Sequence, residues 1–265
     1  MLGLLTQALA LVGGTAAGQL WPRVQQPLLR RDSWINLGNA LLLYPVRLGL
    51  GWLGVFEWKL GLLPMDWVSH PVAQFFFSFL VLDFCRYWLH YAHHRVPFLW
   101  SFHRVHHSSE TMDATSGLRM HLVDFVQLGL LPVLLFGLLF DTKGFADWVL
   151  PAAMVPGVLF DALEHANLRW EPTGWRRIWH MALNNPLFHS WHHTRDGILC
   201  DGNYGNVLLF WDRLFGTDVT GAAPPPLAGI FAYQATPESV AYGALPLLVT
   251  PLRRRVSDDQ ACALP

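Results

Sequence analysis

The 265-residue chain is 52% hydrophobic and only 14% charged, and its mean hydropathy is positive. That balance excludes an ordinary soluble domain, and a net charge of −1 gives no electrostatic basis for nucleic-acid binding. Three scattered cysteines, Cys85, Cys200 and Cys262, outline neither a disulfide framework nor a Cys-x-x-Cys metal site.

In chain order, apolar stretches of about the 20 residues needed to span a bilayer fall at 35–56, 71–92, 122–140 and 145–163. A fifth stretch at 2–20 is the weakest span, because of its Gly and Thr content. It lacks the basic start and small-residue cleavage site of a signal peptide. Residues 237–252 are apolar but broken by Pro246 and Pro251, which suits an interfacial or re-entrant segment. Thirteen Trp and seventeen Phe fit aromatic belts at membrane interfaces. The expected fold is therefore an all-α integral membrane protein with four to five transmembrane helices. Three regions are expected: N-terminal membrane segments at 1–70, a catalytic domain at 71–217 and a C-terminal interfacial tail at 218–265.

Loop charges orient the chain. Arg23, Arg30 and Arg31 lie in one loop, Arg95, Arg104 and Arg119 in another, and Arg169, Arg176, Arg177, Arg195 and Arg213 follow residue 165. The alternate loops carry only Lys59 and Lys143. The positive-inside rule makes the arginine-rich side cytoplasmic, so the histidine-rich stretches emerge together there as a helical cap. An arginine bias with just two lysines is associated with GC-rich bacterial coding, and the chain ends in no endoplasmic-reticulum retention signal. The expected location is a bacterial inner membrane.

Twelve of the thirteen histidines lie between His90 and His193. They cluster as HYAHH (His90, His93, His94), HRVHH (His103, His106, His107) and HSWHH (His189, His192, His193). In a helix, positions i, i+3 and i+4 share one face, so each His-x-x-His-His triad is expected to aim three ring nitrogens at one point. With His90 and His94, the triads offer eight imidazoles, more than one four-coordinate ion can use. Two metals are expected. His93 points away from the His90/His94 face and His70 stands apart, so both read as ordinary histidines. His180 has no partner at helical spacing.

Acidic residues accompany the clusters. Asp83 lies on the stripe of Tyr87, His90 and His94, and an ionisable residue inside a span is costly and by default functional. It is expected to fix the tautomer of a ligating histidine. Asp161, Glu164 and His165 end the fourth strong span, with His165 as a further ligand and the two acids as orienting acceptors. His121 is open between ligand, substrate gate and interfacial residue. Asp196 and Asp201 follow the third triad, beside Gly202 and Gly205, in a loop expected to pack back over the metals with one of them as an acceptor.

An all-nitrogen donor set suits zinc, copper, iron or nickel. Zinc would hydrolyse a substrate, whereas oxidising the inert C–H bonds of a lipid needs a redox metal, which favours iron with O2. A metal transporter would string ligands through its spans, and a haem carrier needs only one or two axial ligands. Neither matches tandem triads gathered at one face.

These residues resemble the fatty acid hydroxylase/sterol desaturase superfamily of integral-membrane di-iron oxygenases. Asp83–His94 (DFCRYWLHYAHH) is similar to its D-x3-Y-W-x-H-x3-H box, and Pro97–Ser108 (PFLWSFHRVHHS) to its second box. Glu164–Asn167 (EHAN) resembles the isolated histidine before the last box, and Asn185–Thr217 the third box with its tail. Arg119–Asp124 (RMHLVD) resembles R-x-H-P-x-E, with Leu122 and Asp124 replacing Pro and Glu. The resemblance covers about half the chain. It implies ligands to two iron ions at His90, His94, His103, His106, His107, His165, His189, His192 and His193. It further implies O2-dependent hydroxylation or desaturation of a lipid, with electrons from a separate cytochrome b5-like, ferredoxin or reductase partner. The choice of lipid is left open.

Overall fold

In a computed structural model, which describes residues 2–53, 60–194 and 201–219, the chain is almost wholly helical. Five long helices occupy the five apolar stretches: α1 (Leu2–Leu20), α2 (Arg31–Trp52), α3 (Pro71–Arg95), α5 (Leu122–Leu139) and α6 (Val149–His165). Between and after them come the short α4 (Pro97–His103), α7 (Trp175–Ala182), α8 (Pro186–His192) and α9 (Phe210–Phe215). Of these, α3 and α5 are long and apolar enough to cross a membrane. The expected segment at 237–252 and residue Asp196 lie outside the described residues.

Local chemistry sets the helix ends. Pro71 occupies the first turn of α3, where its missing N–H is no loss, and the His70 imidazole accepts the Val72 N–H at 3.2 Å. At its other end Val96 turns extended ahead of Pro97, which in turn opens α4. His121 caps α5 in the same way as His70, its Nδ1 accepting from the Val123 N–H at 3.1 Å. Asn185 caps α8 through Oδ1 to the Phe188 N–H at 3.1 Å, with Pro186 next.

Helix α3 is central, packing on α4, α5 and α6, while α1 lies along α6. Leu82, Phe136 and Ala153 form a buried core ringed by Phe75, Phe77, Phe79 and Phe140. Outward, α3 presents Phe76, Leu80 and Phe84 to the surroundings, an apolar stripe at four-residue spacing. Such an exposed stripe is out of place in water and suits lipid.

The helix ends sort to two sides. Beyond α1, the Arg23 N–H donates to the Asn167 carbonyl at 3.0 Å, and the Arg169 N–H to that of Trp21 at 2.9 Å, which ties the end of α1 to the end of α6. At the start of α2, Asp32 pairs with Arg119 at 2.6 Å and Asn36 accepts from Arg119 Nε at 2.8 Å. On the opposite side, a two-residue parallel pairing, β1 (Leu63–Pro64) with β2 (Phe140–Asp141), joins the loop after α2 to the end of α5. The start of α2 is more polar than its composition suggested. Ser33, Asn36 and Asn39 are buried at three-residue spacing against the 109–120 segment.

One carboxylate organises the last described segment. Asp212 on α9 accepts from the Tyr204 and Gly205 N–H groups and from Thr217 Oγ1, each at 2.8 Å, and is fully buried. Asp212→Ala would leave these donors unpaired in the interior, a loss on the order of 3 kcal/mol. A fall in the unfolding midpoint and loosened metal retention are expected together. An unchanged denaturation curve would refute this role.

Candidate metal centre

The nine histidines singled out from the sequence meet in two groups. His90, His94, His103, His107 and His192 form one, and His106, His165, His189 and His193 the other. Within each group the ligand atoms lie within 4.8 Å of one another. The groups share a wall, where the His107 and His193 rings stack with centroids 4.3 Å apart.

The triads do not each aim at one point, which corrects the expectation from their spacing. His103 and His107 join the five-histidine group while His106 joins the four, and His189 and His193 join the four while His192 joins the five. For the triad on α8 the reason is helical geometry. At about 100° per residue, positions i and i+4 lie only about 40° apart, whereas i+3 and i+4 lie about 100° apart. Along α8 this sends His189 and His193 to one side and His192 to the other, whereas the first triad starts on the last residue of α4 and continues into a 3-10 turn at His106–Ser108.

The donor set fits a pair of first-row metals. His90 Nε2 is 3.1 Å from His103 Nε2, and His165 Nε2 is 3.2, 3.2 and 3.0 Å from the Nε2 atoms of His106, His193 and His189. Two nitrogens bound to one ion at about 2.1 Å lie about 3 Å apart. The buried Nε2 atoms of His94, His107 and His192 have no hydrogen-bond partner, a costly arrangement unless a metal takes their lone pairs.

The opposite ring nitrogens are oriented by the protein, which sets the tautomer. His90 Nδ1–H donates to the Tyr204 carbonyl at 2.9 Å, and His192 Nδ1–H to the Gly202 carbonyl at 2.8 Å. His165 donates to the Asp161 carbonyl at 2.6 Å and His106 to the Arg119 carbonyl at 3.2 Å. A side chain does this for His103, whose Nδ1 lies 3.0 and 3.2 Å from the Asp124 carboxylate oxygens.

The acids divide unevenly. Asp83 does not orient a histidine. Its oxygens accept from the Val207 and Leu208 N–H groups at 3.2 and 3.3 Å and from Trp211 Nε1–H at 2.9 Å. Seven residues separate it from His90, about 10 Å along a helix, too far for a hydrogen bond. Asp124 holds the position Asp83 was expected to fill. The signal for it was present, an acid at the start of an apolar span. Glu164, held by Asn184 Nδ2, stands 3.8 Å from both His165 Nδ1 and His189 Nε2. Asp161 accepts from His165 through its carbonyl, and its carboxylate lies within 4.8 Å of the ligand atoms of Glu164 and His165. Asp201 pairs with Arg95 at 2.9 Å, accepts from the Tyr204 hydroxyl at 3.0 Å and lies 3.7 Å from His94 Nδ1.

Four histidines lie outside both groups. His121 and His70 cap helices, and His180 meets Asn185 Nδ2 at 3.1 Å. His93 is buried between the Leu89 carbonyl at 2.6 Å and Gln127 at 2.9 Å.

Burial, reinforced for most by neighbouring imidazoles, holds His103, His106, His107, His189, His192 and His193 well below the usual histidine value of 6.5. They are neutral at pH 7 and able to bind a metal. The unfolded chain takes up protons near pH 6.5 while the fold resists them, so the unfolded state binds more protons below that pH. Metal-free protein is therefore expected to lose stability steadily as the pH falls below about 6.5. Thermal unfolding of chelator-treated protein would show this, and a flat profile from pH 7 to 5 would contradict it.

Beside the histidines lies an apolar cavity walled by residues such as Leu43, Leu50, Phe79, Leu82, Leu130 and Val133. A smaller cavity reaches His90, His103, His106, His165 and His189.

No solved structure matches the chain significantly. Among curated proteins it is 32% identical over 148 residues to an alkylglycerol monooxygenase of Xenopus tropicalis, covering 54% of this chain and 30% of that protein. It is 28% identical over 182 residues to the human alkylglycerol monooxygenase, covering 68% of this chain and 33% of that protein. An ornithine lipid hydroxylase of Rhizobium tropici is 29% identical over 165 residues, 58% of this chain and 44% of that protein. The chain thus spans about a third of the length of the alkylglycerol monooxygenases it matches. The fatty acid hydroxylase model matches residues 75–217, a stretch that begins on α3 and takes in both histidine groups and the loop that orients them, so the chain belongs to the fatty acid hydroxylase family.

Proposed function

We propose that the protein is a membrane-embedded, O2-dependent lipid oxygenase that hydroxylates its substrate. The observation that carries this is the division of nine buried imidazoles into groups of five and four beside an apolar cavity, in a family whose relatives bear the names of lipid hydroxylases and monooxygenases. Two irons are assigned, one to His90, His94, His103, His107 and His192 and one to His106, His165, His189 and His193. When bound, a redox-active iron pair with free positions supplies the reduction of dioxygen and the oxidation of an unactivated C–H bond. One oxygen atom goes to the lipid and the other leaves as water, with two electrons and two protons supplied from a separate donor.

The chain's own residues position and protect this chemistry. Asp124 and the carbonyls of Tyr204, Gly202, Asp161 and Arg119 lock ring orientation, and Glu164, which accepts from Asn184 and Asn206, places a carboxylate beside His165 and His189. The apolar cavity receives a hydrocarbon chain and keeps water from the histidines.

Five spans are assigned to α1, α2, α3, α5 and α6. What supports them is the gathering of the ends of α1, α3 and α6 with the starts of α2 and α5 on the histidine side, opposite the β1–β2 pairing. The arginine-rich loops make that side cytoplasmic, where an electron donor can dock, in a bacterial inner membrane.

Cells expressing the protein under isotopically labelled dioxygen provide the test. Lipid extracts are expected to contain a product bearing one labelled oxygen atom, absent from cells expressing His106→Ala. A product formed equally without dioxygen would overturn the oxygenase reading.

A further inference from the structure

Arg86, Met120, Leu128, Asp161 and Asn206 line both the apolar cavity and the small cavity among the histidines. They form the neck between the two, and three of the five are polar. Arg86 lies four residues before His90, and Asp161 four before His165. Each therefore sits one turn back on the same helix face as a histidine of the site.

The neck is built to leave these groups room. A Cβ at position 157 would collide with Arg86 Nη1 and stand 3.1 Å from Asn206 Oδ1, and one at position 117 would collide with the Asp161 carboxylate. Glycine inside a helix, as at Gly157 on α6, is disfavoured relative to alanine, so the open space is a specific feature of this position.

The polar groups are also underused. No hydrogen bond or ion pair ties the Arg86 guanidinium to another described residue, and Asp83 and Glu164 attract it only through space. Asn206 Oδ1 is buried without a partner. Five N–H donors, a free amide oxygen and a carboxylate thus face a passage whose far side is apolar.

We infer that Arg86, Asp161 and Asn206 receive the polar end of the substrate, with its chain in the apolar cavity, so that the carbons flanking the polar group come nearest the histidines. The inference rests on the lipid-oxygenase reading and narrows its substrate class. An oxygen acceptor suits Arg86, while Asp161 and Asn206 Oδ1 call for hydroxyl donors. A free carboxylate would meet Arg86 but be repelled by Asp161. The matching group is neutral and hydroxylated.

Equilibrium binding to the full chain in lipid nanodiscs, corrected with empty discs, tests this without turnover. The probes are radiolabelled 1-O-hexadecylglycerol, hexadecanoic acid and hexadecane. Wild-type protein is expected to prefer hexadecylglycerol. Arg86→Met should weaken that probe by about tenfold or more, as loss of a charged hydrogen bond does, and leave hexadecane unchanged, with Arg86→Lys restoring part of the loss. Asp161→Asn should weaken hexadecylglycerol and strengthen hexadecanoic acid, a reversal that a merely structural role would not produce. Unchanged binding in both variants, or equal losses for all three probes, would overturn the inference alone. Absence of saturable binding of every probe to wild type would overturn the lipid reading and the inference with it.

Discussion

His106→Ala is expected to abolish oxygenation and to release one of two metals, whereas His192→Ala abolishes oxygenation while keeping more of its metal. The difference follows from the two groups. The four-histidine group has no ligand to spare, while the five-histidine group retains four after losing one. Both losses in turnover should exceed the roughly 100-fold that removal of an orienting partner costs, because each variant alters the coordination of an ion directly. His70→Ala should leave turnover nearly intact, since that imidazole only caps the start of α3. Elemental analysis and turnover on variants matched for membrane insertion provide the measurement. Zinc acquired during overexpression would not count against the assignment, because intrinsic affinity does not select iron over zinc. Wild-type metal content and turnover in both variants would end it.

Asp124→Asn is expected to lower metal affinity or activity by about 10–100-fold with little change in fold. The carboxylate is wholly buried, holds His103 Nδ1 at 3.0 Å and lies 3.3 Å from His93 Nε2. An amide keeps the shape but turns an N–H toward ring N–H groups, so the tautomer is no longer held. Asp83→Asn should behave differently. That side chain fastens the 207–211 segment to α3 through three donors, and its loss should lower the unfolding midpoint more than the metal affinity. Chelator competition and denaturation on the two variants separate these outcomes. A larger metal defect in Asp83→Asn than in Asp124→Asn would refute the exchange of roles.

The five apolar stretches and the ligand inventory were legible because they are written in residue type. A run of apolar side chains declares a helix for an apolar environment, and eight imidazoles at helical spacings point to a metal site. The polar stripe of Ser33, Asn36 and Asn39 was not read from the sequence, because it lies beside an apolar run and its partners are in the distant 109–120 segment. The loop Asp201–Asn206 was expected to fold back over the histidines, and it does. The groups through which it orients His90 and His192 could not be read, because they are main-chain carbonyls that every residue carries.

Sequence alone determined the five long apolar segments and which side chains can bind metal, since these depend on local composition and on the chemistry of each residue. Tertiary structure decided the rest. It split each triad between two groups of histidines, because the direction a side chain takes from a helix or turn has consequences only when other elements stand on both sides. It set Asp124 rather than Asp83 beside a histidine, because the separation of groups on different elements is unrelated to their spacing along one. It also brought Arg86, Asp161 and Asn206 from three distant segments to a single neck, since hydrogen-bond reach is a property of packed space and not of chain order.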